Sequence, residues 1–443
     1  MMKEISSQKL AEILGCTAVS ADIVINKIST DSRQIDEHSL FVALRGERFD
    51  AHDFVVDVVA KGCPLVVVDH LIKDVPVEKQ LVVNDTLEAY GKIGAYNRSQ
   101  FKGTVIGLTG SAGKTTTKEE IAFLLSHFAK TYATAGNHNN QIGVPQSLCE
   151  LDMDARYAVI EMGMSSKGEI SHSVNLVKPD IAVVTNVYPM HIEFFPNFEG
   201  IAHAKAEIFE GLPAQGGIAI INEDTNFADI LKKEAIKHNA KIITFGKNTH
   251  PTDNFFTQEQ GEQYLYNAWC ALTVVQALGL NVEKAASYIK DFGALDGRGK
   301  RHTLAIHGGS YTLIDDSYSG QPEAMKLGIE SLDKSQTLGR KIVVLGKMAE
   351  LGDTSKTRHI EIGKLLADSS IDVIVGVCPE MKDMLAQLPA TKQQYYFENK
   401  DNVADFLLNK LLQNNDTVLI KGARYSSKLY QVTEELLKNG KAA

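Results

Sequence analysis

The chain is expected to fold as an α/β protein of three units whose parallel sheets are covered by helices on both faces. Three observations carry this expectation. Two long series alternate short, continuously apolar segments with amphipathic ones, and a shorter series precedes them. A length of 443 residues fits about three domains, each able to bury its own core. A glycine-rich, charged break, LDGRGK at 295–300, separates the two long series.

Composition excludes several classes. A net charge of −9 provides no general basic field, so neither nucleic acid nor an anionic membrane is an expected partner. The cysteines Cys16, Cys63, Cys149, Cys270 and Cys378 are odd in number and never spaced as CxxC. They read as reduced packing thiols rather than disulfides or a zinc motif. The start MMKEISSQKLAEIL is amphipathic and lacks a signal-peptide core, and no apolar run approaches a membrane span. A cytoplasmic location is therefore expected.

Taken in order, residues 1–84 predict a small α/β unit: a helix over 7–14, a strand over 40–44, a helix over 53–61 and a buried strand over 64–68. A helical connector at 86–98 leads into the second unit, 85–298. Its strands are expected at 104–108, 158–162, 181–187, 217–222 and 241–245, with helices at 117–128 and 264–278. The third unit, 299–443, repeats the alternation. Strands are expected at 311–315, 341–345, 373–377 and 417–421, and helices at 322–332, 357–366, 403–411 and 429–437.

The most informative segment is IGLTGSAGKTTTK, 106–118. An apolar strand runs into Gly110-Ser111-Ala112-Gly113 and then into Lys114, Thr115 and Thr116 near a helix start. Glycines let backbone N–H groups close around phosphate oxygens, the helix N-terminus adds positive potential, and Lys114 adds a cation. Thr115 would offer a hydroxyl to magnesium. The residue five before Gly113 is Leu108, so the loop has a short G-x-x-G-K-T form rather than the usual longer one.

Other residues gain meaning beside this loop. Glu161 ends an apolar strand, where open α/β sheets present ligands, so a metal-ligand role competes with that of a solvated strand-end glutamate. His191, followed by Glu193, comes after the next strand; a packing histidine and a second metal ligand are both open. Lys205 reads on its own as a solvated helix lysine. The loop GNHNNQIGVP, with Asn137, Asn139 and Asn140, reads as a turn, or as amide groups for sugar or diphosphate oxygens.

In their order and spacing, TGSAGKTTTKE, TAGNHNNQIGVP, AVIEMGMSSKGEI, HIEFF and AKAEIFEGL resemble the Mur ligases of peptidoglycan synthesis. TDSR, FVALRGERFDAHDF, LIDDSY, VVLGKMAELGD and KGAR resemble most the branch that adds D-alanyl-D-alanine to UDP-N-acetylmuramoyl-tripeptide. The resemblance spans nearly the whole chain. It implies a small N-terminal uridine-diphosphate-binding domain, a central P-loop mononucleotide-binding domain and a C-terminal Rossmann-like domain. It further implies that ATP phosphorylates the peptide carboxylate and that an amine attacks the resulting acyl phosphate, in a protein expected to be a monomer.

The resemblance also implies roles. Lys114 and Thr115 would hold the β/γ-phosphates and a first magnesium ion, Glu161 would bridge metal and phosphate, and His191 would bind a second magnesium ion. Lys205 would be carbamylated, which turns an ammonium into an anion able to join a metal cluster and overturns its ordinary reading. Asn267 would lie near adenine, Arg298 would reach the phosphates, and Asp316 would serve the ribose and phosphate side. Ser32, Arg33 and Asp50 would hold the uridine diphosphate end, and Asn139 and Asn140 the sugar-peptide.

Two segments depart from the family pattern. Its S-Y-N-A-N-P reads Ser317-Tyr318-Ser319-Gly320-Gln321-Pro322, and its G-D-M reads Gly346-Lys347-Met348, a charge reversal where the third domain should close on substrates. Two other readings are carried: a sister ligase with another amine as acceptor, and a non-catalytic nucleotide-sugar-binding relative.

Overall fold

Strands that are apolar at every position need cover on both faces. In the computed structural model, which describes residues 2–46, 49–255, 262–349 and 351–440, helices provide it. Glu47, Arg48 and Glu350, which belong to the family-like motifs named above, lie outside the described residues. The architecture is α/β with three parallel-type sheets along the chain.

The N-terminal sheet is parallel and sequential: Lys27–Ser29, Ser39–Val42, Leu65–Val68 and Gln80–Val82. Helix Thr86–Gln100 covers one face through Ala89, Tyr90 and Ile93, and Val55–Ala60 covers the other through Val55 and Val58. Asp85 caps the longer helix by accepting from the N–H groups of Leu87 and Glu88. The same helix joins the next unit, where the Asn97 amide donates to the Leu148 carbonyl at 2.7 Å.

The central sheet is ordered Lys241–Phe245, Ile218–Asn222, Ile181–Val184, Thr104–Thr109, Tyr157–Glu161 and Thr131–Ala133, all parallel. Alternate residues of one strand enter opposite cores: Val105 packs on one side, Ile106 and Leu108 on the other. Thr104–Thr109 stands at the switch point, with later strands added first on one side and then on the other. Its C-terminal end is therefore the expected ligand crevice.

The third sheet is ordered Lys300–Ile306, Gly309–Asp316, Thr417–Lys421, Lys341–Gly346, Val373–Val377 and Gln393–Phe397, parallel except for the antiparallel first strand. The 295–300 break is a turn that leads directly into that strand. Strands Thr131–Ala133, Lys300–Ile306 and Gln393–Phe397 went unsignalled by sequence, and all three lie at sheet edges. An edge strand is short or half-polar because one side needs no apolar cover. The helix expected over 117–128 is instead Lys114–Ser126, which puts Lys114 and Thr115 in its first turn. Among the described residues no helix is long and apolar enough to cross a membrane.

That helix also buries Glu120 completely, with no hydrogen-bond partner for either carboxylate oxygen, and burial pushes its pKa up to about 8. An unfolded glutamate titrates near 4.3, so the folded state holds a proton that the unfolded state releases between these values. Stability drawn from the neutral carboxyl is present in acid and lost as pH rises toward 8. Glu120→Gln should therefore gain on the wild type between pH 5 and 8, by up to about 1.4 kcal/mol per pH unit, measured by urea unfolding at each pH.

Candidate functional site

Two glycines shape the loop after Thr104–Thr109. A Cβ on Gly110 would stand 1.8 Å from Thr185 Oγ1, so only glycine fits. Gly113 has φ 75°, a left-handed conformation, and begins helix Lys114–Ser126 with no side-chain cap. The first helical N–H groups are left pointing out of the sheet edge, ready for an anion.

The loop is braced from the next strand end. Asn186 Oδ1 accepts from Ser111 N at 3.1 Å and Ala112 N at 2.8 Å, while Asn186 Nδ2 donates to the Ala112 carbonyl at 3.0 Å. Ser111 Oγ donates to the Tyr188 carbonyl and accepts from Tyr188 N. Lys114 Nζ donates back to the Gly110 carbonyl at 2.9 Å. Thr116, the next residue after Thr115, is half-buried. Asn267 is buried behind the loop: its Oδ1 accepts from Thr117 and Gln263 and would lie 3.0 Å from a Cβ on Gly113.

The central feature is Glu161, fully buried at the end of Tyr157–Glu161. Its Oε1 accepts from Thr115 Oγ1 at 3.2 Å and Asn139 Nδ2 at 2.6 Å. Its Oε2 is buried without any hydrogen-bond partner. An orphaned carboxylate oxygen beside a threonine hydroxyl, below a bare helix N-terminus, suits a hard divalent cation such as magnesium. Arg298, from the turn between the second and third sheets, donates to the same Thr115 oxygen at 3.0 Å and stacks over Tyr318 at 4.2 Å.

His191 follows strand Ile181–Val184 and has φ 56° at the start of the short turn Ile192–Phe194. A non-glycine residue held left-handed beside a ligand crevice is a common mark of a functional turn. Glu193, two residues on, reaches the third unit, where its Oε2 would lie 2.5 Å from a Cβ on Gly352.

Lys205 lies on helix Phe198–Ala206 and is 3 % exposed. Among the described residues its side chain has no ion pair and no hydrogen bond. Burial, and secondarily the nearby Lys114 ammonium, hold its pKa well below the ordinary lysine value.

The remaining expected residues fall in three places. Ser32 and Arg33 line an N-terminal pocket with Asp31 and the exposed rings of Phe49 and Phe54; Arg33 is held there by two bonds to Asp31. Asp50 instead caps the turn Ala51–Phe54 and pairs with His52 and Arg45. Asn140 Oδ1 accepts from Gly143 N at 2.8 Å, where helix Gly143–Cys149 begins. Asp316 pairs with buried Lys421 at 2.6 Å, and burial raises its carboxyl against the pull of that lysine. Lys347 pairs with Glu380 at 2.7 Å inside its own unit rather than standing free in the cleft.

Sequence reasoning missed two supports and a cavity. Asn186, in TNVYP, braces the loop, and its position just past an apolar strand end was the available signal. Lys118, four residues after Lys114 on the same helix, is fully buried and donates to the carbonyls of Thr134 and Gly136, fixing the segment that leads to Asn139. An amide-rich cavity beside the loop is lined by Asn186, Asp224, Asn226, Lys247, Gln263 and Tyr266, and by Leu327 from the third unit.

Comparison with known proteins agrees over the whole length. Residues 24–94 match the Mur ligase family catalytic domain, 108–276 the Mur ligase middle domain, and 300–424 the Mur ligase glutamate ligase domain. The UDP-N-acetylmuramoyl-tripeptide–D-alanyl-D-alanine ligase of Escherichia coli K12 is 34 % identical, over 99 % of this chain and all of that protein. The Bacillus subtilis ligase of the same name is 31 % identical, over 94 % of each. A crystal structure of MurF from Acinetobacter baumannii superposes with a TM-score of 0.86 at 30 % identity, covering 99 % of this chain and 100 % of that one. MurF from Thermotoga maritima in complex with ADP gives 0.79 at 26 % identity, covering 93 % and 97 %.

Replacing Lys205 tests the buried amine directly. Its folded pKa lies below the unfolded value near 10.4, so burying the ammonium costs stability below that value, a cost that shrinks as pH rises toward 10. In carbon-dioxide-free buffer without metal, Lys205→Met should gain about 1–3 kcal/mol at pH 7, with the gain fading by pH 10. Thermal or urea unfolding of the two proteins measures it.

Proposed function

The chain belongs to the Mur ligase family, and from that premise we propose that it joins D-alanyl-D-alanine to UDP-N-acetylmuramoyl-tripeptide at the expense of ATP, through an acyl phosphate. One observation carries the chemistry: a bare helix N-terminus, the donor-less Oε2 of Glu161 and the buried amine of Lys205, which lies close enough to Lys114 to feel its charge, belong to one crevice.

A carboxylate attacking a triphosphate brings like charges together, and the barrier falls when fixed positive groups face both. The loop N–H groups and Lys114 hold the β/γ-phosphates in this reading. A carboxylate oxygen of the tripeptide bonds to the γ-phosphorus and ADP leaves. The dipeptide amine then bonds to the acyl carbon, phosphate departs with that oxygen, and the nitrogen gives up a proton. Magnesium, held by Thr115 and Glu161 with a second ion at His191, would supply the charge neutralisation that the protein alone lacks. Arg298 exchanges the Thr115 hydroxyl for a phosphate oxygen as the third unit closes.

Carbamylation of Lys205 is part of the proposal. Only a neutral amine adds carbon dioxide, with a proton released, and burial together with Lys114 lowers the pKa of this amine and so favours its neutral form. The product is an anion that faces the Lys114 charge and can ligate the second ion. Glu161 and His191 belong to no ready group of three carboxylate or imidazole ligands among the described residues, so an added anion meets a need.

The units 1–84, 85–298 and 299–443 are proposed as the domains for the UDP-substrate, ATP and acceptor. Ser32, Arg33 and the phenylalanine-walled pocket would take the uridine end; the amide-rich cavity capped by Leu327 would take adenine, with Asn267 behind it. Lys347 carries a reversed charge, but Glu380 neutralises it locally, which supports an unchanged acceptor. A monomer acting in the cytoplasm, where UDP-linked precursors and ATP meet, completes the reading.

ADP release should require both UDP-N-acetylmuramoyl-tripeptide and D-alanyl-D-alanine, and single D-amino acids should not replace the dipeptide. Release with another amine alone would sink the acceptor assignment. In the same assay Lys205→Ala should lose nearly all turnover, and bicarbonate should not restore it.

A further inference from the structure

KGAR, residues 421–424, stands where strand Thr417–Lys421 ends, at the edge from which an open α/β sheet presents ligands. Its backbone is joined there to the segments that follow two neighbouring strands. Ala423 N donates to the Lys347 carbonyl at 3.2 Å, and Arg424 N donates to the Tyr318 carbonyl at 3.3 Å. Gly320 lets these segments touch, since a Cβ there would stand 2.1 Å from Ala423 N. The Arg424 side chain thus starts from a braced backbone.

Its guanidinium lies 4.3 Å from the Tyr430 ring centroid and 5.3 Å from that of Tyr318. The side chain is half-buried, and among the described residues it makes no hydrogen bond and no ion pair. A guanidinium held by rings keeps its fork of N–H groups for a planar anion, and the rings limit the freedom lost on binding. Three neighbouring cations lack this capacity. Lys347 is paired with Glu380, Lys421 is paired with Asp316, and Arg298 donates to Thr115.

Arg298 shares the Tyr318 ring at 4.2 Å, so the uncommitted guanidinium is separated by one ring from the charge that rests on Thr115. We propose that Arg424 binds the terminal carboxylate of the acceptor dipeptide through a bidentate pair of hydrogen bonds, and so makes a free acid at that end a condition of good binding. The proposal rests on the ligase reading above and deepens it. The phosphates have nearer partners in that reading, namely the loop N–H groups, Lys114 and Arg298. An extended residue spans about 3.3–3.6 Å, so the amine of a dipeptide lies about 7 Å from its carboxylate. Anchored at Arg424, the dipeptide can return its amine toward the crevice, whereas a single amino acid falls one residue short.

The test measures steady-state ADP release with D-alanyl-D-alanine and with its C-terminal amide, for wild type, Arg424→Met and Arg424→Lys. Saturation curves for ATP are run alongside. Wild type should favour the free acid by about tenfold or more in kcat/KM. Arg424→Met keeps an apolar stem on the two rings; it should raise the dipeptide KM about 10–100-fold, lose most of the preference for the free acid and leave the KM for ATP unchanged. Arg424→Lys should retain part of the preference. Equal use of the two acceptors by wild type, an undiminished preference in Arg424→Met, or a raised KM for ATP in place of the dipeptide would overturn the assignment and leave the ligase reading standing. No turnover by wild type with either acceptor would overturn both.

Discussion

Charge that the protein cannot neutralise from within organises this molecule. Glu161 is fully buried with one oxygen lacking a donor, and Lys205 is buried without an anion beside a second lysine, Lys114. Burying unpaired charge costs several kcal/mol unless the group changes protonation or receives a partner. The rest of the site answers that constraint. Asn139 and Thr115 satisfy the other Glu161 oxygen, Lys118 fixes the segment leading to Asn139, and Asn186 braces the loop ahead of the uncapped helix start.

The same constraint links the units. Arg298 carries a charge from the boundary between the second and third sheets onto the Thr115 hydroxyl, and its ring contact with Tyr318 ties that charge to the third unit. Glu193 meets the third unit at Gly352, and Leu327 closes a cavity otherwise built from the second. Polar contacts of this kind suit an interface able to open and close.

Much of this was legible in the sequence because its physics is local. Continuous apolar runs gave the buried parallel strands, and Gly110, Gly113, Lys114 and Thr115 gave the tight strand-to-helix loop before any fold was drawn. Edge strands such as Thr131–Ala133 and Gln393–Phe397 were hidden, since half-polar segments carry no distinct period. Asn186 and Lys118 were hidden because their partners are backbone carbonyls and N–H groups supplied by tertiary structure. Lys205 is the sharpest case: periodicity made it a solvated lysine, the family resemblance implied a catalytic one, and its burial overturns the first. The Lys347 reversal looked consequential in sequence until Glu380 appeared beside it.

The central claim is that this crevice makes an acyl phosphate rather than simply hydrolysing ATP. Labelling both oxygens of the reacting tripeptide carboxylate with oxygen-18 and recovering the inorganic phosphate after turnover with D-alanyl-D-alanine tests it most directly. The account predicts one labelled oxygen in each phosphate released. Unlabelled phosphate accompanying amide formation would contradict it.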